Sequence, residues 1–204
     1  VRCERRTSDT PTCRSSRWIC WLIAACVKSK RDAAWVKLPA NDSSGAILSR
    51  MDDRREYRGW DLWVEGRRIG AHLVDRWPQN AIKVVTREQL PADQWVHVAI
   101  VYDGGSKAAG VQVFVNGQPQ PTNVQADSLA GTLKANVPFK IGQRNTTAPI
   151  SGVTVQDLRL YGRRLADSEV ASLAKLSLSA VVAAPPEKRS EADLNSLYDW
   201  WLTS

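Results

Sequence analysis

Between Trp95 and Gly117 the chain reads WVHVAIVYDGGSKAAGVQVFVNG. Two valine-rich apolar runs flank a loop that opens on Asp103-Gly104-Gly105, and the second run closes on Asn116-Gly117. Asn and Gly both tolerate positive φ, the backbone geometry that two-residue hairpin turns demand. The stretch therefore predicts an antiparallel β-hairpin, with a longer loop at one end and a tight turn at the other. It constrains architecture strongly and chemistry weakly.

From Ala33 onward the chain keeps the same texture of short runs divided by turn residues. Strands are expected at 33–38, 45–51, 59–66, 67–74, 81–86, 95–103, 111–115, 138–143 and 153–161. Spacings near ten residues, with Gly, Pro, Asn or Asp at the breaks, are the pattern of an antiparallel sandwich. Glu65-Gly66-Arg67 predicts a turn that makes 59–74 a hairpin. A helix is expected at 165–176, where Leu165, Val170 and Leu173 line one stripe and Glu169 sits in the first turn, favoured by the helix dipole. Residues 177–186 read as a linker stiffened by Pro185-Pro186. From Glu187 to Ser204 a second amphipathic helix is expected, with Leu194, Leu197, Tyr198 and Trp201 on one stripe, either docked back on the sandwich or opening a further domain.

The net charge of +7 over 204 residues is unevenly placed. Residues 1–32 hold eight Lys or Arg against three acids, and 33–204 hold the remaining 20 against 18. The folded body thus lacks the basic excess that displaces counterions from phosphates, and nucleic acid is not an expected partner. No run approaches the roughly 20 apolar residues of a membrane-spanning helix. All four cysteines (Cys3, Cys13, Cys20 and Cys26) fall in the first 26 residues, without a CxxC pair to suggest zinc. A basic stretch, the apolar run WICWLIAACV and the box Ile23-Ala24-Ala25-Cys26 resemble a bacterial lipoprotein signal. A buried strand and a segment outside the true reading frame are the alternatives.

WVHVAIVYDGG, VFVNG, PFKIGQR and VTVQDLRLYGRRLADSEVASL together resemble the laminin-G-like, concanavalin A-like jelly rolls of bacterial surface proteins. The resemblance covers about 33–176 and implies an all-β antiparallel sandwich with a short helix after the last strand. Ala166 stands where that family usually has a Ser or Thr helix cap, and Asp167 is expected to take over the role. Residues 45–84 look like the version inserted into large planctomycete-type proteins that also carry a cytochrome-c-like domain. That likeness implies a larger exported parent protein, at the periplasm or cell surface.

The chemistry is thinner. Glucanases of this fold use a Glu-x-Asp-x-x-Glu run on one strand, and none occurs here. The nearest pattern, GWDLWVEG, sets Asp61, Trp63 and Glu65 on one strand face by alternation. An indole between two carboxylates could bind a sugar; a solvated outer face with one surface aromatic is the plainer reading. Asp61 and Glu65 would stand roughly 13 Å apart at the backbone, too far for an easy acid–base pair. Of nine tryptophans, Trp35, Trp60 and Trp95 are expected in the core, while Trp63 and Trp77, the latter in an exposed DRWPQN loop, remain as ligand platforms. His97 is expected as a hydrogen-bonded core residue and His72 as a solvent-facing one, so a Ser-His-Asp triad has little support. Asp103 suits a turn-forming role, and Asp52, Asp53 and Asp103 are the acids to test for calcium, the one cofactor considered.

The composite expectation is a non-catalytic module that presents a glycan or protein site. A structural insert packed on neighbouring domains is the second reading, and a glucanase-like hydrolase the weakest.

Overall fold

Both residues of the Asn116-Gly117 turn have positive φ, 49° and 78°, and the chain folds straight back so that Val115 pairs with Gln118. The computed structural model describes residues 31–41, 44–175, 181–182, 184–191, 193–195 and 197–198. Its strands are β1 (Arg31–Lys37), β2 (Gly45–Asp52), β3 (Arg58–Glu65), β4 (Arg68–Arg76), β5 (Asn80–Thr86), β6 (Trp95–Tyr102), β7 (Val111–Val115), β8 (Gln118–Gln120), β9 (Thr122–Asp127), β10 (Lys140–Ile141) and β11 (Thr154–Tyr161), followed by helix α1 (Asp167–Lys175). All nine expected strands are present. The two additions, β8 and β9, are polar edge strands, and β8 carries Pro119, tolerated at an edge that needs no ladder donor. Their QPQ and TNVQAD sequences lack the apolar alternation that marks a half-buried strand.

The strands form two antiparallel sheets, one in the order β11-β1-β6-β7-β8 and the other β10-β2-β3-β4-β5-β9. Leu48, Trp60, Leu62, Val64, Ile69, Ala71, Leu73, Ile82 and Val84 of the second sheet meet Val36, Val96, Val98, Ile100 and Val113 of the first in one continuous core. A bulge in β2 between Ala46 and Leu48 turns both Ile47 and Leu48 into that core and resets the phase, so that Ser49 pairs with Asp61 on the outward face. The turn expected at Glu65-Gly66-Arg67 is present as a two-residue connection, Gly66-Arg67, with φ of 55° and 58° between β3 and β4.

Helix α1 packs on the outward face of the first sheet. Val170 and Leu173 close over Ala33, Ala99, Val101 and Phe114, with Leu165 leading in. Phe114, in a position alternation would leave outside, is thereby fully buried, worth about 1.5–3 kcal/mol. The approach is close: a Cβ on Gly117 would lie 2.8 Å from Cα of Ala171. The expected capping role of Asp167 is not observed. Ala166 is the residue whose carbonyl starts the helix, and Glu169 reaches back to accept the Ala166 N–H at 2.8 Å, half of a capping box. Glu169 also pairs with Arg163, and its carboxyl is held down to about 2 by those hydrogen bonds.

The expectations for residues 1–30, including Trp18, Trp21 and the Cys26 box, and for Trp200 and Trp201 fall outside the described residues. In 191–198 the described residues are helical, and Leu194 and Tyr198 of the expected stripe are exposed.

Candidate functional site

With α1 on the first sheet, the outward face of the second sheet is where a ligand can reach strand residues. Alternation holds there: Trp60, Leu62 and Val64 face the core, and Asp61, Trp63 and Glu65 face out. The face is not the solvated surface that was one of the two readings. Asp61 is only 2% exposed. It is flanked in register by Ser49 on β2 and His72 on β4. Arg144, from the loop after β10, lies across it.

That loop is fastened at several points. Gly142 N–H donates to Ile47, Arg144 N–H to Thr147 and Ala46 N–H to Ala148. Asp53, in the turn after β2, accepts four hydrogen bonds of 2.6–2.8 Å from the amides and hydroxyls of Thr146 and Thr147. Although burial pushes the Asp53 carboxyl up, these donors outweigh it and hold it below the usual value.

The carboxylate of Asp61 is fully satisfied. Oδ1 accepts from the backbone N–H of His72 at 3.2 Å and lies 2.8 Å from His72 Nδ1. Oδ2 accepts from Arg144 Nε and Nη2, both at 2.7 Å. Burial pushes its pKa up, but the charges and hydrogen bonds of His72 and Arg144 prevail and hold it below the ordinary carboxylate value. An ionised carboxylate only accepts, so Nδ1 of His72 carries the proton between them. The 3.4 Å approach of Arg144 Nη2 to the same Nδ1 then sets donor against donor and is not a hydrogen bond. His72 is 6% exposed, against the expectation that it faces solvent, because Arg144 and two indoles close around it.

Aromatic rings complete the site. The Arg144 guanidinium carbon lies 4.4 Å from the Trp63 ring centroid and 5.3 Å from that of Tyr57, within reach of cation–π attraction to both rings. The His72 ring meets Trp63 and Trp77 edge-on, with centroids 5.4 and 5.6 Å away. Trp77, in the turn between β4 and β5, is half-buried on Met51, Val74 and Ala81, where an exposed loop was expected. Met51, Tyr57, Trp63, His72, Val74, Trp77 and Arg144 line a cavity of about 240 Å³. That is below the roughly 300–1,000 Å³ of drug-sized sites.

Of the sequence candidates, Trp63 and Trp77 line the cavity and Asp61 lies beneath it. Glu65 stands apart, bonded to Lys83 at 2.9 Å, and that hydrogen bond is the main cause of its lowered pKa. The three acids considered for calcium do not converge. Asp52 accepts from Arg54 N–H, Asp53 holds the threonines, and Asp103 accepts the Gly105 N–H at 2.7 Å in the turn-forming role expected of it. Among the described residues no three His, Cys, Asp or Glu side chains gather to hold a metal ion. Sequence reasoning missed Tyr57, Arg144 and the inward turn of His72. The only signal for Arg144 was its place after the Ile-Gly strand, which carries no hint of a partner 83 residues earlier.

Two tryptophans expected in the core are there, Trp35 and Trp60, while Trp95 is half-buried at the start of β6 with Lys37 over its ring. His97 is 3% exposed, as expected of a core histidine, but its Nδ1 has no hydrogen-bond partner. Burial of the ring lowers its pKa to about 4. Chemically the cavity offers one imidazole, one guanidinium, three aromatic rings and two apolar side chains. Its lining contains no carboxylate and no Ser, Thr or Cys.

Residues 33–171 match the family described as the Concanavalin A-like lectin/glucanases superfamily. No curated protein matches the chain in sequence. Solved structures with the same fold include Ruminococcus gnavus IT-sialidase CBM40 bound to α2,3-sialyllactose, 16% identical over 73% of this chain and 84% of that one, with a TM-score of 0.56. The binding domain of Paraclostridial Mosquitocidal Protein 1 is 16% identical over 74% of this chain, which spans only 38% of that domain, with a TM-score of 0.56. The native heptameric SAP-like pentraxin from Limulus polyphemus is 19% identical over 75% of this chain and 72% of that one, with a TM-score of 0.52. At such identities the likeness establishes the fold.

Proposed function

The chain belongs to the concanavalin A-like lectin/glucanases superfamily, and from that premise we propose that it is a non-catalytic carbohydrate-binding module. The cavity on the outward face of its six-stranded sheet holds the ligand. The observation that carries this reading is the construction of that cavity. Aromatic walls from Tyr57, Trp63 and Trp77 surround two polar groups, His72 and Arg144, whose positions a buried carboxylate sets. Aromatic rings with a few placed polar groups suit a sugar, which has apolar C–H faces and hydroxyl edges. A solved neighbour that binds sialyllactose lends support of the same kind. The glucanase-like alternative finds no carboxylate in the lining, and Asp61 has every lone pair engaged.

A glycan array probed with the intact chain tests the proposal. Binding is expected, and Trp77→Ala, which removes a wall without touching the Asp61 network, should weaken it at least tenfold. A folded chain that binds no glycan would favour the second reading, a structural insert that packs on neighbouring domains. Exposed Ile141 on β10 and Val124 on β9, the two edges of the second sheet, are what that reading has in its favour. The likeness of residues 45–84 to inserts of large planctomycete-type proteins supports an exported, multidomain setting at the periplasm or cell surface. No helix among the described residues is long and apolar enough to cross a membrane.

A further inference from the structure

Among the described residues that line the cavity, one buried acceptor is left without a partner. His72 Nδ1 donates its proton to Asp61, so in the neutral form of the ring the lone pair lies on Nε2. Nε2 makes no hydrogen bond among the described residues and is not among the atoms sealed from solvent. His72 is nevertheless more than nine-tenths buried, its ring edge-on to both Trp63 and Trp77 where it lines the cavity. The guanidinium of the lining differs. Arg144 has Nε and Nη2 on Asp61 and its Cζ over two rings, so its charge is already matched by a carboxylate. An acidic ligand would have to compete with Asp61 for it.

We infer that Nε2 of His72 is the atom that selects the ligand, an acceptor held between two indoles to receive a hydroxyl hydrogen from a neutral sugar. The inference rests on the glycan-binding reading and names the class of glycan within it. Asp61 is a positioning residue here: it sets the tautomer that makes Nε2 an acceptor and fixes the ring plane, as outer carboxylates do for other working histidines. Arg144 positions Asp61 in turn. A recess that offers one buried acceptor discriminates sharply, because a ligand without a donor leaves that acceptor desolvated and unpaired.

The test uses the full chain, labelled with ¹⁵N, at pH 8.5. Long-range ¹H–¹⁵N spectra read the His72 tautomer directly. Methyl β-D-glucopyranoside and methyl β-D-galactopyranoside are then titrated, each beside its fully O-methylated ether, which keeps the ring and loses every donor. The expected result is an unprotonated Nε2 that shifts with at least one glycoside along with the Trp63 and Trp77 indole signals. The ether should bind at least tenfold more weakly. His72→Phe, which keeps a ring between the indoles, should lose the glycoside to the same degree. A proton on Nε2, or a glycoside that moves the indoles and leaves Nε2 unchanged, overturns the inference and leaves the glycan-binding reading standing. If neither glycoside moves the indoles or Nε2 and the array is also blank, both fall together.

Discussion

Arg144 and Asp61 lie 83 residues apart in the chain and 2.7 Å apart in the fold, two nitrogens of the guanidinium sharing Oδ2 of the carboxylate. Neither charge has water enough to stand alone: the Asp61 side chain is 0% exposed and that of Arg144 11%. The pair therefore joins the loop after β10 to the middle of the second sheet, and the cavity wall stands on it.

Removing one partner strands the other. Arg144→Ala is expected to destabilise the fold by about 3–5 kcal/mol, the usual cost of leaving a buried charge uncompensated. Replacing both, Asp61→Leu with Arg144→Met, should cost less than the single change. Urea denaturation followed by tryptophan fluorescence measures both. A loss under about 1 kcal/mol in Arg144→Ala would mean that water reaches Asp61 after all.

The buried ring of His97 should make stability depend on pH. Its folded pKa of about 4 lies below the ordinary 6.5, so below pH 6.5 the unfolded chain binds a proton that the folded chain refuses. Stability is then fully present above pH 6.5 and falls as pH drops toward 4, by about 3 kcal/mol in all at 1.36 kcal/mol per unit. His97→Phe, which retains the edge contact to Trp35 at 5.6 Å, is expected to abolish this slope. If the melting temperature of that variant follows the parent's between pH 6.5 and 4, the assignment is wrong. Asp61 works in a lower window: its depressed pKa contributes stability above about 3.8 that is lost as pH falls further.

Asp53 holds its loop locally. Asp53→Ala should leave the core intact and expose the Thr146 and Thr147 amides, which the carboxylate now accepts at 2.8 and 2.6 Å. Hydrogen exchange in the variant is expected to speed up at these two amides at least tenfold, with β6 unchanged. Equal rates in both proteins would show that the loop is held without Asp53.

Calcium is expected to leave the melting temperature where it is. Asp53 has both oxygens engaged by two threonines, and among the described residues no three His, Cys, Asp or Glu side chains gather around it or Asp103. A rise of several degrees at millimolar calcium, reversed by chelator, would show that loop carbonyls complete a site around one of these acids.

Local chemistry made much of this protein readable in advance. Asn116-Gly117 and Gly66 turn the chain where Asn and Gly tolerate positive φ, and period-2 alternation set Asp61, Trp63 and Glu65 on one face of β3. Even Trp63 and Trp77, picked as the tryptophans left over from the core, line the same cavity. Alternation, however, states only which side of a sheet a residue is on. It cannot state what arrives on that side. Phe114 is buried because α1 lies on it, and Asp61 and His72 are buried because Arg144 does. Those contacts join residues distant in the chain, where sequence spacing carries no signal, and only the closing of loop over sheet converts a polar stripe into a dry network under a cavity.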